Sequence, residues 1–457
     1  MTAALAALFL LLAGCSLGGA RPGSTRHSPS PSASSAAKAS PSPGPPDAAW
    51  HQFLGSAARF GIGFASPALD SIKSEWTAGL DGAEYGEPLV ALGHVIVATE
   101  NDTVYSFDLA SGAVAWKQHL GEPVRGGSLP CGNIDPSGIT STPAVDPVAG
   151  VVYSVAYLSG FRHVLFALDL KTGAVRWQRG VDPPGLSPVV HQQRSALTLS
   201  GGHVYVLFGG LYGDCGNYRG WVIASNTDGQ GDVLTYQVKS GREGGIWAPG
   251  GAVVDPAGNL YVAVGNAEGS GFNYGNSVIK LAPDLRELDY WAPSNWAALN
   301  AGDVDVGSVA PALLQDGLLF QAGKAGIGYL VRTQGMGGVG AEVFSARVCP
   351  GRVDGATAYN PPFLYVACSN SGVVALKEGA GRFDIAWRSA GGGNTAVLAG
   401  GWIWSIGGTT LAQIAPDTGE VRGRVPLSQA AHFASIGAGE GRIFIPAWNQ
   451  LIAAGPA

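Results

Sequence analysis

Hydrophobic residues fall into three regimes along this 457-residue chain. An apolar run of about ten residues from Ala3 onward opens it; that is too short to cross a bilayer as a helix but has the length of a signal-peptide core. Ser16 to Pro46 follows, dominated by Ser, Pro, Ala and Gly. Such a stretch cannot bury enough apolar surface to offset its chain entropy, and its prolines favour extended segments, so it reads as a tether. Beyond it, short segments alternate apolar and polar residues with period two, the signature of half-buried strands. No later segment holds 18 uninterrupted apolar residues.

The strands come in a repeating unit. Val104-Tyr-Ser-Phe-Asp108-Leu-Ala-Ser111-Gly112-Ala-Val-Ala-Trp116 is echoed by Leu165-Phe-Ala-Leu-Asp169-Leu-Lys-Thr172-Gly173-Ala-Val-Arg-Trp177. Each is a strand, a turn and a second strand ending on Trp. Asp and Ser/Thr side chains can bond the turn backbone, and Gly can take positive φ there. Leu411 to Gly423 is a degenerate copy that keeps Asp417-Thr418-Gly419, and Val373 to Trp387 keeps only the Trp. The strand, Asp-Pro turn and strand of Thr142 to Tyr153 recur at Gly251 to Tyr261. Trp76, Trp116 and Trp177 are spaced by 40 and then 61 residues, close to the period of four-stranded propeller blades, with an insertion in the second interval.

Seven full units start near Gly86, Gly138, Gln192, Gly245, Asp303, Arg352 and Gly393. The remainder, residues 431–457, supplies three strands, and Ser71 to Leu80 around Trp76 supplies a fourth. The expectation is all-β: an eight-bladed propeller of four-stranded antiparallel blades, closed by N- and C-terminal strands, which leaves no exposed sheet edge. Seventy glycines and 29 prolines argue equally against long helices.

The Asp-x-x-Ser/Thr-Gly-x-x-x-Trp unit resembles the pyrroloquinoline quinone (PQQ) repeat, and the resemblance covers about residues 71–457. It implies the eight-bladed quinoprotein-like propeller. Both dehydrogenases and non-enzymatic envelope proteins carry this repeat, so it speaks to fold more than to function.

Leu12-Ala13-Gly14-Cys15 resembles the lipobox of bacterial lipoproteins, although no Lys or Arg precedes the apolar run. In that family the Cys becomes the first mature residue and carries diacylglycerol on its sulfur. The expected organisation is a signal peptide over 1–14, a tether over 15–48 and a propeller domain over 49–457, with Cys15 anchoring an exported protein on the extracytoplasmic side of a cell membrane. The other four cysteines, Cys131, Cys215, Cys349 and Cys368, suggest disulfides in an exported chain. Of three possible pairings, Cys349 with Cys368 joins neighbours within a blade and leaves Cys131 with Cys215; free buried thiols are the alternative.

Charged residues make up only 13% of the chain and the net charge is −6. That argues against a nucleic-acid partner, which calls for a basic patch. Gly335-x-Gly337-x-x-Gly340 lacks the strand–helix context of a dinucleotide fingerprint. Gly14-x-Ser16-x-Gly18 lies in the export signal and tether, where no nucleophile elbow can form.

One region carries more. Ile246-Trp247-Ala-Pro-Gly250, Val264-Gly265-Asn266, Asp303-Val-Asp305-Val-Gly307 and Gly323-Lys324-Ala-Gly resemble, in order, segments of the PQQ-dependent alcohol dehydrogenases. That resemblance implies Trp247 as the floor under the quinone, Asn266 and Asp303 as Ca²⁺ ligands, Asp303 as the catalytic base and Lys324 as a contact of the quinone carbonyls. The residue types suit this chemistry, since an indole stacks on a planar cofactor and Ca²⁺ takes oxygen ligands. The departures are equally specific. The enzymes' vicinal cysteine pair is missing, Leu211 stands about where a calcium-binding Glu is expected with Asp214 nearby, and Gly302 replaces a Trp. The same residues also suit blade packing (Trp247), turn capping (Asn266, Asp303, Asp305) and ion pairing (Lys324).

Two functions follow. The first is a lipid-anchored, non-catalytic binding or scaffold protein of the envelope that takes a protein, peptide or glycan. The second is a PQQ- and Ca²⁺-dependent dehydrogenase of alcohols or sugars. If both are right about the fold, Trp247, Asn266, Asp303 and Lys324 occupy equivalent positions one blade apart and converge at one mouth of the propeller.

Overall fold

The computed structural model describes residues 50–457. The signal run, Cys15 and the tether lie outside the described residues.

Eight antiparallel sheets follow one another along the chain. The first blade is typical: Leu89–Ala91, His94–Thr99, Thr103–Asp108 and Val114–His119 pair in sequence order, from a fully buried inner strand to a half-exposed outer one. The second to seventh blades span 144–180, 191–237, 253–292, 312–347, 358–388 and 397–426. The eighth takes three strands from Gly437–Gly439, Arg442–Pro446 and Gln450–Pro456, and its outer strand is Ile72–Gly79. The ring therefore closes by pairing the two ends of the propeller, as the repeat count requires.

The repeated Asp, Ser/Thr, Gly and Trp explain why blades pack as they do. Asp108 Oδ1 accepts from the Ser111 amide at 2.9 Å and hydroxyl at 2.6 Å, and Asp169 does the same for Thr172. These bonds fix the turn that places Gly112 at φ 70° and Gly173 at φ 72°. Each glycine lies under the tryptophan of the preceding blade. A Cβ on Gly112 would come within 2.5 Å of Trp76, and one on Gly173 within 2.6 Å of Trp116. The indole N–H groups of Trp76 and Trp116 donate to the Leu109 and Leu170 carbonyls of the same turns. Trp387 on Gly419 repeats the arrangement between the sixth and seventh blades, and Trp177 on Gly229 repeats it without the Asp-x-x-Ser/Thr turn.

Several features depart from the four-strand grammar. The third blade has two short inner strands, His191–Gln192 and Thr198–Ser200, both paired with His203–Gly210, and the ribbon of Arg242–Glu243 with Ala267–Glu268 stands outside the blades. The fourth blade gains a fifth strand, Gly338–Val339, parallel to Glu287–Ala292. A short helix, Trp296–Ala301, precedes the fifth blade. Both disulfides form. Cys131–Cys215 joins the loop leading into the second blade to the loop between the second and third strands of the third. Cys349–Cys368, expected within one blade, instead ties the segment after the outer strand of the fifth blade to the second strand of the sixth, fully buried.

Residues 50–69 fall outside the repeat, and the structure gives them a role of their own. They run across one end of the central channel as a plug. Val90, Val145, Val254, Tyr359 and Leu398, each on the inner strand of a different blade, donate backbone N–H bonds to Trp50, His51, Ala57, Phe60 and Gly61. Leu199, on a sixth inner strand, exchanges bonds with the Gln52 side chain. Arg59 is buried and donates to the carbonyls of Phe53 and Leu197 and to the Thr198 hydroxyl. Glu87 accepts from the Trp50 indole at 2.6 Å and the Leu54 amide at 2.7 Å. Burial pushes the Glu87 carboxyl up to about 8 and pulls Arg59 down to about 9.

Candidate functional site

At the end of the channel away from the plug lies a cavity of about 690 Å³. Its walls come from two kinds of loop: those entering an inner strand and those following the second strand of a blade. Trp247 and Asp303 lie on loops of the first kind, and Asn266 and Lys324 on loops of the second. All four line the cavity. Trp247 is thus a wall residue, not part of the packing between blades.

The polar groups are tightly paired. The Lys324 ammonium bridges Asp305 Oδ2 at 2.5 Å and Asp303 Oδ1 at 2.9 Å, and lies 5.5 Å from the centroid of the Trp247 ring. Burial alone would lower the lysine pKa, but the two carboxylates raise it above the ordinary value. Asp305 is only 3% exposed, whereas Asp303 is 65% exposed and sits at φ 51°. The other oxygen of Asp305 accepts the Asn266 amide N–H at 2.5 Å. A Cβ on Gly265 would come within 2.9 Å of both Asp305 Oδ1 and the Trp247 indole nitrogen, so the small residue lets this cluster close. The Asn266 side-chain amide donates to Glu243 Oε2 at 3.1 Å, on the two-stranded ribbon that pairs Arg242–Glu243 with Ala267–Glu268. Glu243 is pushed up to about 7 by burial, although Arg242 pairs with it at 2.7 Å.

Leu211 and Asp214, at the place where the enzymes' acidic ligand is expected, also line the cavity. Asp214 is engaged by the Tyr218 hydroxyl at 2.5 Å. Three lining residues carry no mark in the repeat: Arg194, Arg352 and Phe433. Arg352 forms a two-pronged pair with Asp354 at 2.6 and 2.7 Å. Each precedes the inner strand of its blade, as Trp247 does, and only that positional equivalence could have found them.

These residues do not fit a calcium–quinone centre. Calcium takes six to eight oxygens. Here one oxygen of Asp303 and one of Asp305 are held by Lys324, the second of Asp305 by a backbone N–H, and Asn266 is turned to Glu243. Among the described residues no group of three or more His, Cys, Asp or Glu side chains is gathered for a metal. A quinone with several carboxylates calls for cationic walls, but three lining cations, Arg194, Lys324 and Arg352, face four carboxylates, Asp214, Asp303, Asp305 and Asp354.

Comparison with known proteins places the chain. Residues 68–268 match the family described as outer membrane protein assembly factor BamB. The chain is a PQQ-repeat β-propeller. The quinohemoprotein alcohol dehydrogenase of Pseudomonas putida HK5 superposes with a TM-score of 0.71 at 15% identity, over 89% of this chain and 80% of that one. The quinohemoprotein alcohol dehydrogenase of Comamonas testosteroni gives 0.69 at 15% identity, over 90% and 81%. BamB of Moraxella catarrhalis gives 0.59 at 14% identity, over 84% and 100%. At such identities the likeness is one of fold, and the PQQ-repeat propeller is shared by enzymes and by an assembly factor. The sequence matches no curated protein.

Proposed function

We propose that this PQQ-repeat propeller is a non-catalytic binding protein of the cell envelope, exported and held to a membrane by lipid on Cys15. Its ligand is received at the propeller mouth. The observation that carries this reading is the position of Lys324: its ammonium lies over the Trp247 face and uses oxygens of Asp303 and Asp305 that a metal would need. The match of residues 68–268 to an assembly-factor family supports a binding role, and two disulfides support an oxidising, extracytoplasmic location. A screen of purified protein supplied with PQQ and Ca²⁺ for dye reduction by alcohols and sugars tests it: no turnover is expected, and substrate-dependent reduction contradicts it. Membrane retention of a Cys15→Ala protein would contradict the anchor.

The dehydrogenase is the second reading. It is favoured by the meeting of Trp247, Asn266, Asp303 and Lys324 in one cavity.

A further inference from the structure

Every cation lining the cavity except one is paired. Lys324 bridges two aspartates and Arg352 grips Asp354. Arg194 makes neither a hydrogen bond nor an ion pair among the described residues; its contact is with the Phe433 ring, 5.3 Å from the guanidinium carbon. The nearby Glu100 attracts it without touching it. Glu100 is itself buried, and desolvation pushes its carboxyl up to about 7, so at neutral pH it offsets the arginine only in part. A guanidinium in the wall of an open cavity, half-buried and with no contacting counter-ion, is the group best suited to grip a carboxylate through two parallel N–H bonds.

The surroundings of Arg194 are built to hold it there. Phe433 has φ 66°, a conformation unusual for a bulky residue and sustained only where the structure around it insists. That backbone sets the ring under Arg194 on one side and 6.1 Å from the Trp247 ring on the other. Arg194 and Phe433 also line a recess about the size of one water, floored by Phe53 of the plug, so the cavity is blind at this point. A ligand reaching Arg194 would meet a cation at its tip and two aromatic faces along its body.

We propose that Arg194, backed by Phe433, anchors the carboxylate of a slender organic acid whose aromatic or apolar body lies along Phe433 and Trp247. The assignment rests on the reading of the propeller mouth as a binding site. Such a ligand is either a free aryl acid or the carboxy terminus of a peptide ending in an aromatic residue; the two share the chemistry that Arg194 reads.

Calorimetric titration of the purified protein at pH 7 with phenylacetate and with phenylacetamide, its neutral analogue, tests this. Phenylacetate should bind, and phenylacetamide at least about tenfold more weakly, because a hydrogen-bonded charge is lost. N-acetylphenylalanine and its amide form the second arm; tighter binding of that acid than of phenylacetate assigns the site to peptide ends, and the reverse order to free acids. Arg194→Gln should abolish the preference for acid over amide while Arg194→Lys keeps part of it. Equal affinity for acids and amides, no heat from either acid, or unchanged acid binding by Arg194→Gln overturns the proposal. Should Arg194→Gln fail to fold, the acid–amide comparison in the unaltered protein still decides. None of these readouts involves redox turnover, so carboxylate binding can fail while the non-catalytic reading stands, and dye reduction can contradict that reading while Arg194 still binds acids.

Discussion

The ammonium of Lys324 lies 5.5 Å from the centre of the Trp247 ring, held there by Asp303 and Asp305. A wall that resembles the floor of a quinone site thus carries its own cation. Removing one partner of a buried pair leaves the other uncompensated, and Asp305 is almost fully enclosed. Lys324→Met should therefore destabilise the fold by about 3 kcal/mol in denaturant unfolding. Adding Asp305→Asn should recover most of that loss. An unchanged midpoint in the single variant would mean that the triad contributes nothing.

The plug should matter as much as any blade. Its backbone carbonyls satisfy amides on five inner strands, and Gln52 reaches a sixth. A chain starting at Ala48 should unfold like the full chain, since it keeps Trp50 and all of these bonds. A chain starting at Asp70 should lose several kcal/mol, because buried N–H groups without partners each cost about 1–3 kcal/mol. Circular-dichroism melts compare the two; equal melting temperatures would contradict a structural role for residues 50–69.

Much of the fold was legible because one local rule recurs. Asp108, Ser111, Gly112 and Trp116 state in nine residues a turn, a positive φ and a blade contact, and their echoes give the blade count and the closing strand around Trp76. The cysteine partners were expected correctly, but for a reason the structure replaces: Cys349 and Cys368 meet across two blades, not within one. The plug was not legible: it forms no repeat, and its bonds join residues up to hundreds of positions apart. At the site, Trp247, Asn266, Asp303 and Lys324 were found through their likeness to enzyme segments, and equivalent loop positions put them at one mouth. Arg194 and Phe433 were missed because nothing local marks them; a left-handed phenylalanine and an arginine without a counter-ion are properties of the assembled ring. Nor could residue types alone tell that Lys324 closes on both aspartates.

Stability should fall as pH rises from acid to neutral. Burial lifts the Glu100 carboxyl from about 4.5 to about 7, and Asp102 beside it is lifted to about 9. The folded protein therefore holds protons that the unfolded chain releases. The contribution of Glu100 is fully present below about pH 4.5 and is lost by about pH 7, amounting to roughly 3 kcal/mol. Glu100→Gln keeps an oxygen for the Gly138 amide, 2.7 Å away in the native pair, and should flatten this part of the profile. Parallel wild-type and Glu100→Gln profiles of unfolding free energy between pH 4.5 and 7.5 would contradict the assignment.

The proposed binding role of the propeller mouth rests on Lys324, whose ion pairs with Asp303 and Asp305 use oxygens that a calcium–quinone centre would need. Calorimetric titration of the purified protein with PQQ in the presence of Ca²⁺ tests it most directly. No saturable heat is expected, and Trp247→Ala should be indistinguishable from the parent protein. Saturable PQQ binding that requires Ca²⁺ and is lost in Trp247→Ala would contradict it.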